Sequence, residues 1–239
     1  MVTIDLNADL GEGFGRWSLT DDDGLLDVVT SANVACGFHA GDARTMQRVV
    51  ERCVERGVVV GAQVSYRDLA GFGRRFVDVD PAELTAEVVY QVGALRAFAA
   101  AAGTRVAYVK PHGALYNAVV THERQAAALV EALRLLGDDL VALGLPGSAW
   151  LRRADEAGIA CAAEGFADRA YSPDGTLVPR SEPGALLAGD AIVAQARALA
   201  TGRVRSICVH GDSPSAVADA RAVRVALLDD GVSLAPFAG

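Results

Sequence analysis

The stretch ARTMQRVVERCVERGVVVGAQV, residues 43–64, contains the repeating unit that decides the fold. Its first part predicts an amphipathic helix over residues 43–56, because apolar side chains recur there at helical spacing. These side chains are Met46, Val49, Val50, Cys53 and Val54. Gly57 is placed to end the helix, since glycine takes the left-handed conformation at a helix end without steric cost. The β-branched run at 58–60 then begins a strand.

The same order of helix, glycine and strand recurs along the chain, and seven segments are predicted to be strands. They lie near residues 3–9, 28–34, 58–64, 105–110, 139–143, 159–164 and 205–210. Strands that alternate with helices form parallel sheets with helical crossovers. This pattern predicts one α/β domain over residues 1–239, a closed (β/α) barrel of about seven parallel strands. A doubly wound open sheet is the alternative.

The composition is that of an ordinary globular protein. Of the 239 residues, 51% are hydrophobic and 22% are charged, and the net charge is −8. A negative net charge argues against broad nucleic-acid binding. No apolar run approaches the ~20 residues of a membrane span. The N-terminus lacks the basic start and apolar centre of a signal peptide, so we expect a cytoplasmic protein. The four cysteines form no Cys-x-x-Cys pair, which disfavours structural zinc and a disulfide framework.

Polar side chains gather at the ends of the predicted strands. In a parallel barrel all C-terminal strand ends face one rim, and barrel active sites form there. Three of the four histidines lie at or just after strand ends, which chance placement does not readily explain. We therefore predict a functional rim. Its candidate residues are Asn7, Asp9, Glu12, Asn33, His39, Gln63, Lys110, His112, Glu164, Asp168, Arg169, Tyr171, His210 and Asp212.

Other features have simpler interpretations. Asp42 and Asp212 each precede a helical pattern and are candidate helix N-caps. His122 stands at a helix start and is interpreted as a surface residue. The loop Gly71-Phe-Gly73-Arg74-Arg75 offers two guanidinium groups that match a carboxylate or phosphate, with an ordinary exposed loop as the alternative. The sequence has neither a Walker-type phosphate loop nor a Gly-x-Ser-x-Gly elbow, so we expect no ATP site of that type and no serine hydrolase.

Six strings of the sequence closely resemble the A subunits of the ATP-hydrolysing 5-oxoprolinases, a family also known as lactam-utilisation proteins. They occur in family order over almost the whole chain: residues 5–12, 31–42, 71–75, 109–117, 164–171 and 208–214. The resemblance implies a barrel similar to that of the polysaccharide deacetylases and hydrolysis of 5-oxoproline to glutamate. It also implies ATP consumption together with two partner subunits, B and C. Because the chain shows no nucleotide-binding motif, we expect ATP to be used on the partners.

One string departs from the family pattern. After the third strand the family usually has Gly-Ala-His-Pro, whereas this chain has Gly61-Ala-Gln63-Val64. Glutamine can donate and accept hydrogen bonds, but it cannot replace an imidazole as a base or as a comparable metal ligand. The departure therefore predicts altered chemistry at this strand end.

Ring opening of a lactam requires a nucleophilic water, a proton for the leaving nitrogen and stabilisation of an oxyanion. For these roles we assign Asp9 or Glu12 as the base, His112 or His39 as the acid, and Lys110 as the stabilising cation. Arg169, or Arg74 and Arg75, is expected to hold the substrate carboxylate. The remaining predicted substrate contacts are Asn7, Asn33, Gln63, Glu164, Tyr171, His210 and Asp212. Replacement of rim residues is expected to leave the fold intact.

Two other functions are compatible with the sequence. In the first, Asp9, His39 and His112 hold a metal ion that activates water, as in a metal-dependent deacetylase or amidase on a similar barrel. In the second, the chain binds a lactam without turnover, and Gln63 marks lost chemistry. No metal ligand is assigned for the preferred function, where the metal requirement stays open.

Overall fold

The computed structural model describes residues 2–137 and 139–239. Its strands are β1 (Thr3–Leu10), β2 (Ser31–Ala35), β3 (Val59–Val64), β4 (Val106–Pro111), β5 (Val141–Gly144), β6 (Cys161–Phe166), β7 (Ser206–Val209) and β8 (Ser233–Leu234). The α-helices are α1 (Asp22–Leu26), α2 (Ala43–Arg56), α3 (Pro81–Ala101), α4 (Gly113–Thr121), α5 (Glu123–Leu136), α6 (Ala149–Glu156), α7 (Asp190–Ala200) and α8 (Ala216–Asp229). A short 3-10 helix covers Leu69–Gly71.

Strands β1 to β7 pair in parallel and close into a barrel, because β1 is hydrogen-bonded to both β2 and β7. The pairing places Asp9 beside Asn33 and Asn7 beside Cys208. The predicted barrel of seven parallel strands is thus confirmed, and the open-sheet alternative is wrong. The two-residue strand β8, which the sequence analysis missed, pairs with the start of β1.

Helix α2 has the predicted bounds and both predicted ends. The Asp42 side chain accepts hydrogen bonds from the backbone N–H groups of Arg44 and Thr45, and Gly57 follows with φ of 66°. Four of the five predicted apolar residues are buried, but Val54 is 43% exposed. At about 100° per residue, Val54 lies roughly 90° from the centre of the buried face, so its assignment to that face was wrong.

Three further polar residues stand near helix starts, and two of them cap a helix. Asp80 caps α3 and Pro81 occupies its first turn. His122 is partly exposed and accepts a hydrogen bond from the N–H of Gln125 at the start of α5. Asp212 is not a cap, because α8 begins at Ala216 and the Asp212 carboxylate instead pairs with two arginines.

Strand β1 separates the apolar and polar parts of the interior. Its residues alternate, so one face carries Ile4, Leu6, Ala8 and Leu10 and the other carries Asp5, Asn7 and Asp9. The apolar face belongs to the main hydrophobic core, which lies between the strands and the surrounding helices. The polar face contacts Ser31, Asn33, Ser206 and Glu164 inside the barrel. The lumen of this barrel is therefore a buried polar column.

Two further sequence-based expectations concern the cysteines and membrane-spanning helices. The four thiols are free, and all but that of Cys161 are buried. Among residues 2–137 and 139–239, no helix is long and apolar enough to cross a membrane.

We predict that Gly61→Ala destabilises the barrel by about 1–3 kcal/mol. A methyl group on Gly61 would overlap ring atoms of Tyr108, which is fully buried and whose hydroxyl donates to Asn33. Urea denaturation followed by circular dichroism measures the change.

The matched control is Gly93→Ala on α3, where an added methyl group meets nothing within 4 Å. That substitution is expected to stabilise the protein by about 0.5–1 kcal/mol, because alanine favours a helix over glycine. Equal effects of the two substitutions would contradict the steric argument.

Candidate active site

The floor of the polar column is organised around Asp5. Its carboxylate accepts hydrogen bonds from the hydroxyls of Thr30 and Ser31, each at 2.6 Å, and from Ser206. Ser206 in turn accepts a hydrogen bond from the Asn7 amide at 2.6 Å. Burial raises the pKa of Asp5 to about 6, although the hydroxyl donors act in the opposite direction. The first layer thus connects a weakly acidic carboxyl group to the residues above it.

Two asparagines in the next layer hold Asp9 in place. The Asn33 amide donates to Asn7 Oδ1 at 2.7 Å and to Asp9 Oδ1 at 2.8 Å, while Tyr108 donates to Asn33 Oδ1 at 2.7 Å. Both asparagines are buried, and each uses both its donor and its acceptor capacity. Asn7 and Asn33, predicted as substrate contacts, therefore lie beneath the site and position Asp9.

Lys110 is the central cation of the site. Its Nζ lies 2.8 Å from Glu164 Oε2 and 3.5 Å from Asp9 Oδ1. Burial opposes the charge, but Asp9 and Glu164 outweigh burial and raise the pKa of Lys110 well above its ordinary value. Because Lys110 and Glu164 are fully buried, removing either would leave an unpaired buried charge. The buried ion pair thus argues against the expectation that Lys110 can be replaced without harm to the fold, which stays a prediction.

Asp9 and Glu12 have opposite acidities. Burial raises the pKa of Asp9, but Lys110 outweighs burial and, together with His112 and His210, holds this pKa well below its usual range. Burial raises the pKa of Glu12 well above its ordinary value, and the charge of Asp9 adds to the effect. The site therefore combines a strongly acidic Asp9 with a weakly acidic Glu12. Two carboxyl groups whose pKa values are pushed apart are the usual basis of acid–base catalysis.

Gln63 lies between the two histidines of the rim. Its amide oxygen accepts from His39 Nε2 at 3.1 Å, and its amide nitrogen approaches His112 Nδ1 at 3.0 Å and Glu12 Oε1 at 3.3 Å. His112 Nε2 donates to the Phe72 carbonyl at 3.2 Å, so its Nδ1 carries the lone pair that accepts from Gln63. Burial, followed by the neighbouring His112, lowers the pKa of His39 well below its ordinary value. One amide side chain thus connects the two imidazoles.

The Gly71–Arg75 loop packs directly against these histidines. Gly73 has φ of 66°, and a methyl group there would meet His39 Cβ at 2.8 Å and His112 Cδ2 at 3.1 Å. The preceding residue, Phe72, takes a left-handed conformation that presents its carbonyl to His112. Glycine at position 73 is therefore required by close packing.

On the other side of the rim, His210 forms a dyad with Asp168. His210 Nδ1 lies 2.9 Å from each carboxylate oxygen of Asp168, and its ring stacks on Phe166 with centroids 5.2 Å apart. Burial opposes ionisation of Asp168, but His210 outweighs it and lowers the pKa of this carboxyl. A carboxylate on Nδ1 leaves Nε2 to face a substrate, which is the arrangement of a general acid or base.

These groups surround one cavity of about 620 Å³ at the C-terminal rim. Of the predicted site residues, its wall contains Asp9, Arg74, Lys110, His112, Arg169 and His210. A cavity of this size is typical of a small-molecule site. The rim predicted from strand ends thus encloses a concave site, and the roles assigned to its residues stay predictions.

Some predicted site residues lie elsewhere. Arg75 is outside the cavity and pairs with Asp68, so its position does not support a role in binding a substrate carboxylate. The Tyr171 hydroxyl accepts a hydrogen bond from the N–H of Phe166 at 2.7 Å, which indicates a structural role. Conversely, the sequence analysis overlooked Asp168 as the partner of His210, although an aspartate just past a strand end was a usable signal. It also overlooked Arg180, which no pattern marks.

Glu12, His39 and His112 could approach a metal ion, since one ligand atom from each lies within 4.8 Å of the others. Carboxylate and imidazole groups suit zinc. However, the Gln63 amide nitrogen donates toward both His112 Nδ1 and Glu12 Oε1. These two ligand atoms are therefore engaged, whereas the buried Nδ1 of His39 has no hydrogen-bond partner. A metal held by this set would displace the Gln63 amide from His112 and Glu12.

A closed parallel barrel with opposed carboxyl acidities and two histidine systems at its C-terminal rim has the architecture of a β/α-barrel enzyme. The profile of the LamB/YcsF family matches residues 4–239. The chain belongs to the LamB/YcsF family.

Comparisons with individual proteins agree with this assignment. The chain is 62% identical to the 5-oxoprolinase A subunit of Streptomyces avermitilis, over 98% of this chain and 100% of that protein. Its structure resembles the lactam utilization protein from Thermus thermophilus, with a TM-score of 0.93 and 37% identity over 98% of this chain and 100% of that one. The catalytic domain of a peptidoglycan N-acetylglucosamine deacetylase from Eubacterium rectale aligns with a TM-score of 0.52 at 13% identity, covering 98% and 88% of the two chains. The predicted likeness to the deacetylase barrel is thus confirmed for the fold alone.

Asp5 provides a test of the polar column through pH. Its pKa is raised from 3.8 to about 6, so the folded state holds a proton that the unfolded state releases. The stability contributed by this proton is complete below pH 3.8 and is lost as pH rises through about 6. Asp5→Asn cannot ionise and should escape this loss, a difference on the order of 3 kcal/mol between pH 4 and 7.

Urea denaturation of wild type and Asp5→Asn from pH 4 to 7 measures this difference. Asp155→Asn, on the exposed face of α6, is the control and should follow wild type. A curve for Asp5→Asn that runs parallel to wild type would show that Asp5 does not titrate in this range.

Proposed function

We propose that this chain opens the ring of 5-oxoproline to give glutamate, as the A subunit of an assembly that also contains subunits B and C and that consumes ATP. The support is twofold. Relatives of matching length are named as the A subunit of 5-oxoprolinase, and the similar Thermus thermophilus structure is a lactam utilization protein. The observation that carries the proposal is the opposed acidity of Asp9, which lines the cavity, and of the nearby Glu12.

The reaction needs a base and an acid that act on opposite sides of one amide bond. Asp9 accepts a proton from water, the water oxygen bonds to the lactam carbonyl carbon, and the carbon–nitrogen bond breaks. The leaving nitrogen takes a proton from Glu12 or from a histidine of the rim. Lys110 stabilises the negative charge that develops on the carbonyl oxygen, since a buried cation interacts strongly with such a charge.

ATP enters this scheme through the partner subunits. Phosphorylation of the lactam oxygen converts ATP to ADP and makes the lactam carbon electrophilic. Attack of one water and cleavage of the carbon–nitrogen bond then give an acyl phosphate, and Lys110 faces the phosphorylated oxygen during this step. A second water hydrolyses the acyl phosphate to glutamate and phosphate. The present chain has no Walker-type loop, so we assign the phosphorylation to the partners and the attack of water to this cavity. A cytoplasmic location follows from the need for ATP.

A metal-dependent amidase is the second candidate function, favoured by the approach of Glu12, His39 and His112 to one another. The sequence analysis placed Asp9 in this set of possible metal ligands, whereas the structure places Glu12 there. A bound ion would activate water in place of Asp9. Metal analysis of protein purified without chelators distinguishes the two functions, because stoichiometric metal that is required for activity would favour the amidase.

The first prediction from the proposed function concerns which steps this chain and its partner subunits each carry out. The isolated chain should release no glutamate from 5-oxoproline and ATP, whereas the chain with subunits B and C should. In the full assembly, Asp9→Asn should lower the rate at least ~100-fold, because general-base catalysis contributes factors of this size. The Lys110–Glu164 ion pair at 2.8 Å remains in this variant, so the fold should be kept.

Asp155→Asn is the matched carboxylate-to-amide control and should retain the wild-type rate. Robust ATP-dependent turnover by the isolated chain would refute the assignment of ATP to the partners. Near-normal activity of Asp9→Asn in the assembly would refute its role as the base.

The second prediction concerns the family departure at Gln63. Gln63→His places a group that titrates near neutral pH between His39, His112 and Glu12. The rate of lactam opening, or its dependence on pH between 5.5 and 9, should therefore change. The measurement uses the complete assembly with saturating partners.

Gln47→His on α2, whose side chain bonds only Arg44 and Glu51 on the same helix, is the control. Superimposable rates and pH profiles for wild type and Gln63→His would show that the departure is chemically neutral.

A further inference from the structure

The upper wall of the cavity carries positive charge that the proposed chemistry does not use. Among the residues that the structure describes, the cavity is lined by four cationic side chains, Arg74, Lys110, Arg169 and Arg180, and by the single carboxylate of Asp9. Lys110 is neutralised by Glu164 and Asp9. The arginines remain as a local positive region in a chain whose net charge is −8. Such a region raises the local concentration of anions.

Arg169 is a buried cation without an acidic partner. It is only 5% exposed, and its guanidinium donates to the carbonyls of Val178 at 2.6 Å and Ala185 at 3.4 Å. Within residues 2–137 and 139–239, no carboxylate forms an ion pair with it. Burial lowers the pKa of Arg169, and the nearby Arg180 and Arg74 lower it further. Buried arginines are almost always paired with an anion, so this one is incomplete without a ligand.

Arg74 and Arg180 share a single counter-ion. Asp212 Oδ2 pairs with Arg74 and lies 3.3 Å from Arg180 Nη1. The three side chains come from different loops: Arg74 precedes α3, Asp212 follows β7, and Arg180 belongs to the strap, the segment 167–189 between β6 and α7. These side chains are partly exposed, and exposed ion pairs are weak. A ligand anion can therefore compete with Asp212.

The strap is anchored independently of this junction. Its residues Arg169 and Leu186 form one antiparallel bridge, Tyr171 and Leu177 form another, and the Gln195 amide donates to the Arg169 carbonyl at 2.6 Å. Arg180 is therefore held over the cavity by a segment with its own backbone bridges. Its side chain can change partner without unfolding the strap.

We propose that Arg180 determines specificity for a carboxylate, by forming an anion subsite with Arg74 and Arg169 in which Asp212 serves as the counter-ion of the empty state. The subsite holds the carboxylate of the lactam, because planar guanidinium groups match a carboxylate through paired hydrogen bonds. This inference rests on the proposed function for the identity of the ligand. The anion subsite itself rests on the charges and contacts described above.

The test is isothermal titration of the isolated chain with three probes: 5-oxoproline, 2-pyrrolidinone, which is the same lactam without the carboxylate, and cyclopentanecarboxylate, which lacks the lactam. Arg180→Ala should weaken binding of 5-oxoproline and of cyclopentanecarboxylate roughly tenfold or more and leave binding of 2-pyrrolidinone unaffected. The loss of one hydrogen bond to a charged group changes a binding constant by about this factor. Arg180→Lys should recover part of the affinity. Asp212→Asn should strengthen carboxylate binding, since it removes the competing anion.

Arg221→Ala, on the exposed face of α8, is the matched control and should bind all probes as wild type does. Unchanged carboxylate binding by Arg180→Ala, an equal loss for all probes, or the absence of carboxylate binding by wild type would overturn the subsite. Arg180-dependent binding of cyclopentanecarboxylate without binding of either lactam would instead refute the proposed function and leave the subsite standing.

Discussion

The ion pair of Lys110 with Glu164, and its contact with Asp9, is the interaction on which the rest of the site depends. Each of these groups would be too costly to bury alone, so the lysine and the carboxylates require one another. Burial raises the pKa of Glu12, and the charge of Asp9 adds to the effect. The difference in acidity between Asp9 and Glu12 thus follows from burial and from the contact that Lys110 makes with Asp9.

This charge arrangement requires a barrel with a polar lumen. The alternation along β1 directs Asp5, Asn7 and Asp9 inward while Leu6 and Ala8 pack outward. A lumen filled with aliphatic side chains would provide no partners for Lys110, whereas the layered amides and hydroxyls bond Asp5, Asn7 and Asp9 in turn. Stability therefore comes mainly from the apolar layer between strands and helices, and the polar side chains of the lumen position the candidate active site.

The sequence predicted the barrel well because its signals are local. Helical spacing at Met46–Cys53, the cap at Asp42 and the glycine at 57 each depend on neighbouring residues alone. Strand ends also predicted which residues share the rim, since parallel strands impose that grouping. Contacts between remote loops carry no such signal, which is why the pairing of Asp212 with Arg74 and Arg180 was missed and a helix cap was predicted instead.

Gln63 shows why the remaining site chemistry depends on side-chain pairing that sequence cannot supply. The His39 and His112 rings stack with centroids 4.1 Å apart, and two positive charges at that distance would repel. The Gln63 amide accepts from His39 and donates to His112, so one side chain orients both rings. His112 Nδ1 also lies 3.7 Å from Glu12 Oε1, and burial raises the pKa of this carboxyl group. Gln63 therefore occupies the His112 nitrogen nearest to Glu12, so the departure from the family pattern acts on proton placement.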